Sequence, residues 1–465
     1  VQGTANRFYE GGEECNNGAP DQKVTPMNTD QNQLLAPQFD GTLTEGLVSL
    51  IRNKPVGQVD LDAMALFTLD GIANMLAGRR SVPGEKLLAY LKGKEGDTGR
   101  RALVMGGLTH ILEVDDLHKA SVVHPACVTI PVALALAADD MPSGTDFLKA
   151  ILFGFEACTR VGMSVGKAHY KIWHNTATCG TFGGAMTAAT LMGLTDEETV
   201  HALGNAGTQS AGLWEFLNTG AMSKHLHAGR GAEAGIVAAE LAQLGFTGPP
   251  AILEGPQGLY AGACPDPDPD AVLRDPDAPW QVHLTSIKPW PSCRHTHPVI
   301  DAALELSGKI DVDAIESVDV AVYQASIDVC DRPVPESEYE AKFSVQHCVA
   351  ISLLDGKCVF ASFDPSGRDR AAELRKSISV RAGETYSDAY PKDWGGEVTV
   401  NMKDGASVTA ARTACKGDPE LALTRDEMID KARDLLTFAA VNDVDAIIDG
   451  VLGMAHGDPV PEIVI

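Results

Sequence analysis

From about residue 40 to 260 the chain is dominated by Ala, Gly, Leu and Met at helical spacing, which restricts the fold more than any other feature. Runs such as MALFTLDGIANMLAG, VTIPVALALAAD, DFLKAILFGFEACTRVG and GAEAGIVAAELAQLG set apolar side chains three and four apart. Their small residues, densest in GTFGGAMTAATLMG, permit close helix packing. Helix starts are also readable. Ser143, Thr145 and Asp146 precede one periodic run, and Thr195-Asp-Glu-Glu opens another with acids that suit the helix dipole. A compact helical domain is predicted here.

The composition shifts after Gly255. CPDPDPDAVLRDPDAPW reads as a surface loop, and strand-like alternation follows near 317–324, 377–383, 397–402 and 406–412. Asp404-Gly405 between the last two is a hairpin signal. The helical runs DAALELSGK and FSVQHCVAISLLDG alternate with these strands, so an α/β module is predicted. The final stretch, TRDEMIDKARDLLTFAAVNDVDAIIDGVLGM, is helical again and can pack back on the first domain.

A formal net charge of -26 over 465 residues argues against nucleic-acid partners and against an anionic membrane surface. No apolar run reaches the roughly 18 residues of a membrane helix. The first residues lack the basic and apolar parts of a secretory signal and read as a polar arm. Ten cysteines without a CxxC read as free thiols in a reducing cytoplasm. There is no GxGxxG after a strand, and GMSVGKA at 162–168 has the wrong spacing for a phosphate loop, so no nucleotide cofactor is indicated.

Five segments carry chemistry. Gly106–Pro125 gathers His110, Glu113, Asp115, Asp116, His118 and His124 among apolar residues, where titratable groups are costly to bury unless paired or used. Metal ligation is one reading, but di-iron helical bundles need a second Glu-x-x-His copy, which is missing. A solvated helix end is another. An acid/base cluster is preferred, because His124-Pro125 leads directly into the apolar run ACVTIPVALALA. In HYKIWHNTATCGTFGGA, His174 precedes a Gly-rich helix start and can transfer a proton. GAMSKHLHAGRGAEAG concentrates Lys224, His225, His227 and Arg230, an island of positive charge fit for a carboxylate. IKPWPSCRHTHPVID holds Lys288, Cys293, Arg294, His295 and His297 on a stretch that Pro289 and Pro291 should keep extended. Arg332 is a further candidate carboxylate anchor.

HILEVDDLH…HP, HNTATCGTFGGA, SKHLHAGRGAEAG, ILEGPQGLY, KPWPSCRHTHPVIDAA and RPVPESEYEAKFSVQH together resemble the MmgE/PrpD family, in order, over roughly residues 40 to 460. That family includes 2-methylcitrate dehydratase, cis-aconitate decarboxylase and iminodisuccinate epimerase. The resemblance implies a mainly α fold with an α+β part. A helical domain would be built from residues 36–285 and 417–465, after a polar arm at 1–35, with an inserted α/β lid at 286–416. It implies a homodimer, a small anionic carboxylate substrate, and chemistry without metal or organic cofactor.

By the same resemblance the site would hold Glu113, His124, His174, Lys224 and Lys288, and, with the residues' own chemistry added, Glu113, His124, His174, Lys224 and His297 are the expected catalytic groups. Lys288, Arg294, His295, Arg332 and His227 are expected to bind substrate. In the decarboxylase pattern an Asp stands where Glu113 does, a His where Cys293 does, and a Tyr near Val329. These departures argue against cis-aconitate decarboxylation and leave His295 or His297 as substitute proton donors. The leading expectation is a lyase that dehydrates a 2-methylcitrate-like hydroxy acid. Epimerisation of a small dicarboxylate, decarboxylation, and non-catalytic carboxylate or metal binding are the alternatives.

Overall fold

A computed structural model describes residues 41–465. The polar arm expected at 1–35 lies outside them. The first helix, Leu43–Asn53, opens on a capping box in which Thr42 and Glu45 satisfy each other's backbone amides. Gln58–Gly78, Ala126–Ala137, Gly144–Ser164 and Gly180–Leu191 are buried along most of their length. Helices apolar on nearly every face belong inside a large core. Ser143 caps Gly144–Ser164, and Thr195 with Glu198 caps Asp196–Gly207, both at the predicted starts.

The helix Ser223–Gln243 packs against Thr98–His110 and Gly180–Leu191. A Cβ on Gly229 would collide with the Leu103 carbonyl, and one on Gly235 with the backbone of Gly184. Glycine at these positions lets the helix backbones touch, and the close approach sets Lys224, in the first turn, beside the loop after His110. The C-terminal helices Arg425–Phe438 and Val444–Gly453 return to Gln58–Gly78, where Leu435, Leu436 and Val451 join the same core.

A second core lies within residues 290–415. Two sheets are present among the described residues. β1 (Asp116–His118) and β2 (Thr285–Ile287) pair antiparallel. β3 (Ile315–Val322), β4 (Ile378–Ala382), β5 (Gly396–Met402) and β6 (Ser407–Arg412) form a sheet of order β4-β3-β5-β6. β3 and β4 are parallel, so a helical crossover joins them, and Val345–Asp355 and Pro365–Arg375 lie in it. The predicted hairpin joins β5 to β6. Gly405 takes φ +87°, and Met402 N donates to Ala406 O at 2.8 Å. His297–Ser307 and Val345–Asp355 pack on the sheet, which buries Val318 and Val320 while leaving Asp319 in solvent.

The fold is thus mainly α with an α+β part. Lys288 to His297 departs from the extended form expected for it. The chain bends at 289–292, where Ser292 N donates to the Trp290 carbonyl at 2.9 Å, Arg294–Thr296 is a 3-10 turn, and His297 begins the next helix, with Pro298 in its first turn. Among the described residues no helix is long and apolar enough to cross a membrane. The described cysteines are free and buried.

Candidate active site

The helix Thr98–His110 ends in a loop whose residue Glu113 takes φ +61°, a left-handed conformation uncommon for a side chain of this size. The turn sends the carboxylate inward, where it is 1% exposed. Lys224 donates to Glu113 Oε1, and Lys288 Nζ lies 3.4 Å from Oε2 and 3.2 Å from the Glu113 carbonyl. Lys288 follows β2 directly. The β1–β2 register, with Asp116 opposite Ile287, holds it against the loop. Burial pulls the Glu113 carboxyl up, but Lys224 and Lys288 outweigh it and hold the group well below the usual carboxylate range. Burial pulls Lys288 down, and Asp115 and Glu113 more than restore it. Two ammonium groups and two carboxylates therefore share one dry volume.

Imidazoles surround them. His110 Nδ1 lies 2.6 Å from Asp115 Oδ2, so that nitrogen carries the proton. His124 Nδ1 donates to the Asp116 carbonyl and lies 3.4 Å from Asp115, which leaves Nε2 as its lone-pair nitrogen. The Asp116 carboxyl accepts from Ala126 N at 3.1 Å, and burial and Asp115 push its pKa well up. His174, the N-cap of Asn175–Thr178, stacks on His110 with ring centroids 5.7 Å apart and tilts against Trp214 at 4.8 Å. Its Nε2 is buried without a partner. His295 stacks on Trp394 at 4.7 Å, and its Nδ1 lies 2.7 Å from the Tyr323 hydroxyl.

Glu113, His124, His174, Lys224, Lys288, Arg294 and His295 line one chamber, closed by Trp214, Phe343 and Trp394. About 20 Å³ of free space remains in it, room for about one water. Arg294 reaches this wall with Nη2 donating to Asp418, which also accepts from Ser286 at 2.8 Å, while its Nη1 is buried without a partner.

Three expected residues stand elsewhere. The start of the helix at His297 turns that ring away, to pack on Trp290 with Nε2 3.3 Å from the Ser292 carbonyl. Arg332 donates to the Leu217 carbonyl at 3.2 Å and is not in the chamber wall. His227 touches His174 but faces a separate cavity. Arg230, from the same positive island, pairs on the surface with Glu233. The sequence reading missed the aromatic wall, Tyr170, Trp214, Phe343 and Trp394, together with Tyr323 behind His295. These come from distant segments with no local signature.

The residues of the metal reading separate. Two sets sharing Asp115 come close, His110 with Asp115 and Cys127, and Asp115 with Asp116 and His124, whereas His118 bonds to Ser121 at 2.8 Å. The Lys288 ammonium lies 3.6 Å from Asp115 Oδ1, where its charge opposes a second cation.

These imidazoles make stability depend on pH. Burial, the largest cause in each case, lowers His118 and His124 to about 4 and His225 and His295 to about 3. The unfolded chain binds protons on these rings near pH 6.5, while the folded chain holds them neutral to much lower pH. The unfolded state thus binds more protons in that window, and stability falls as pH drops from about 6.5 toward 4. Glu113 and Asp115, both depressed, add a further loss below about pH 4.5, which the raised carboxyls of Asp116, Asp70 and Glu240 oppose. Thermal melts should show Tm highest near neutrality and dropping steeply below about pH 6. A Tm unchanged between pH 7 and 4.5 would contradict the buried-neutral assignment.

The family model for the MmgE/PrpD N-terminal domain matches residues 48–271, and that for the MmgE/PrpD C-terminal domain matches residues 290–453. A cis-aconitate decarboxylase of Aspergillus terreus is 26% identical over 440 residues, covering 85% of this chain and 89% of its own. The cis-aconitate decarboxylase of Mus musculus is 28% identical over 357 residues, 71% of this chain and 70% of its own. That of Homo sapiens is 28% identical over 354 residues, 71% of each. With both halves matched in order across most of its length, the chain belongs to the MmgE/PrpD family.

Proposed function

We propose that this protein is a cofactor-independent lyase that removes a proton beside a carboxylate of a small di- or tricarboxylate, dehydrating a hydroxy acid of the 2-methylcitrate type. The observation that carries the reading is the convergence of Lys224 and Lys288 on Glu113 inside a chamber walled by His124, His174 and His295. A proton next to a carboxylate is weakly acidic, and its removal builds enolate-like charge on that carboxylate. Two ammonium groups already fixed in a water-poor volume stabilise such charge far better than they could in solvent. His124, with Nδ1–H bound to a carbonyl, presents Nε2 as the base. His174, with Nε2 unpartnered, is placed to protonate the departing hydroxyl. The hydroxyl leaves as water, and the C–H electron pair becomes the new double bond. A tricarboxylate needs far more than the free space present, so its binding requires the chamber walls to part.

Glu113, Cys293 and Val329, where the chain departs from the decarboxylase pattern, all line the chamber, which favours dehydration. Decarboxylation of a cis-aconitate-like acid is the second reading, favoured by the names of the relatives above. Proton NMR in heavy water with 2-methylcitrate, citrate and cis-aconitate separates them. Dehydration gives an unsaturated acid without carbon loss, decarboxylation releases carbon dioxide, and epimerisation exchanges deuterium with no net elimination. No reaction with any small polycarboxylate would defeat the proposal.

Lys224→Ala should both raise KM and lower kcat, because the ammonium meets charge that grows at the transition state. An unchanged kcat would reduce Lys224 to ground-state binding.

A further inference from the structure

Next to the chamber lies a second cavity of about 600 Å³, and His227 stands between them. That cavity is open to solvent, for Leu226 and Arg230 on its lining are exposed. His227 sits in the wall. Its Nδ1 lies 3.3 Å from Nδ1 of His174, and the ring centroids are 5.5 Å apart. His174 is 1% exposed, whereas His227 is only partly buried. Two facing Nδ1 atoms can bond only if one carries a proton and the other does not. The tautomer of His227 thereby decides which nitrogen of His174 faces the chamber protonated.

We propose that His227 is the positioning and proton-supply residue for His174, linking the closed chamber to the outer cavity. The inference rests on the acid role given to His174 above. With its proton on Nδ1, His227 donates to His174 and holds the His174 proton on Nε2, the form needed to protonate a leaving group. When His174 gives up that Nε2 proton, the His227 Nδ1 proton passes to His174 Nδ1. His227 then takes a replacement proton at its own Nε2 from water in the outer cavity. Each ring makes one N–H bond and loses one, so neither stays charged. The pair resets when the proton abstracted by His124 is passed to His174 Nε2 and the relay runs in reverse, returning a proton from His227 Nε2 to the outer water. Burial lowers both rings below their ordinary pKa, His227 to about 4, which keeps the cationic form brief. The device suits a tightly filled site, since room for about one water leaves little space for a chain of waters to carry a proton. The charged and titratable groups facing the pair include His110, His124 and Lys224 on the chamber side and Glu215 and Arg230 in the outer cavity.

His227→Ala and His227→Gln test it, with kcat, KM and the nitrogen-15 shifts of His174 as readouts. His227→Ala should lose about tenfold or more in kcat, with KM changed less than about twofold. Its His174 should no longer hold a single tautomer, and added imidazole, entering the open cavity, should recover part of the rate. The amide N–H of the glutamine in His227→Gln can still donate to His174, so the tautomer should persist while kcat stays low and imidazole does not help. Wild-type kcat in both variants, or a His174 tautomer unaffected by His227→Ala, would overturn the proposal. If wild-type protein turns over no polycarboxylate, the function proposed above has failed, and the tautomer measurement decides this inference alone.

Discussion

His174→Ala is expected to lower turnover by about 10²–10⁴-fold while the protein keeps its fold, the loss typical of removing a general acid or base. The imidazole is held by contacts made for position. Its backbone N–H donates to the Gly212 carbonyl at 3.0 Å, and its ring is fixed between His110 and Trp214. Such a group with an unpartnered buried nitrogen is costly to keep unless the nitrogen is used. Alanine removes that nitrogen and no buried charge, so thermal unfolding should change far less than rate. His174→Asn fills more of the space and should be as inactive, which separates lost chemistry from lost packing. Wild-type kcat in either variant, with the substrate found by NMR, would remove His174 from the mechanism.

Lys288→Met should be among the most destabilising single changes in the protein, at about 3–5 kcal/mol, because it strips a buried cation from two carboxylates. Lys288 is 1% exposed, 3.4 Å from Glu113 and 3.6 Å from Asp115. Methionine matches its length but leaves Asp115 Oδ1, which has no hydrogen-bond partner, without its nearest cation. A whole domain is stable by only about 5–15 kcal/mol, so the loss should lower the denaturant midpoint clearly. The predicted signature is partial recovery in Lys288→Met/Glu113→Gln, since the second change removes one uncompensated charge. A single variant with wild-type stability would show that the carboxylates take up protons at no cost or find another partner. Either result would contradict the charge balance assigned to the chamber.

The helical core and the four-stranded sheet were readable because each rests on a local signal. Helical periodicity, the Ser143 and Thr195 caps and the Asp404-Gly405 turn all act within a few residues. The ionic centre was readable through its types, since clustered His and Lys are rare among apolar residues. What joins the clusters was not. β1 and β2 are three residues each and too short to show alternation, yet their pairing brings Lys288 to Glu113. His295 and His297 are near neighbours in sequence, but a helix begins between them and sends one ring to the chamber and the other to Trp290. That Arg294 lines the chamber while also pairing with Asp418 was not legible, because Asp418 lies 124 residues away. The aromatic lining shares that cause, for Trp214, Phe343 and Trp394 meet only in the folded chain.

The central claim is that Lys224, Lys288 and the imidazoles around them form a receptor for a polycarboxylate poised for proton transfer. A crystal structure with tricarballylate, which carries three carboxylates and no hydroxyl to lose, tests this most directly. The account predicts a carboxylate oxygen within about 3.2 Å of Lys224 or Lys288 Nζ, with a neighbouring CH₂ facing His124 or His174 Nε2. A tricarballylate molecule seated only in the outer cavity or on the surface, with the Lys224–Glu113–Lys288 cluster undisturbed, would contradict it.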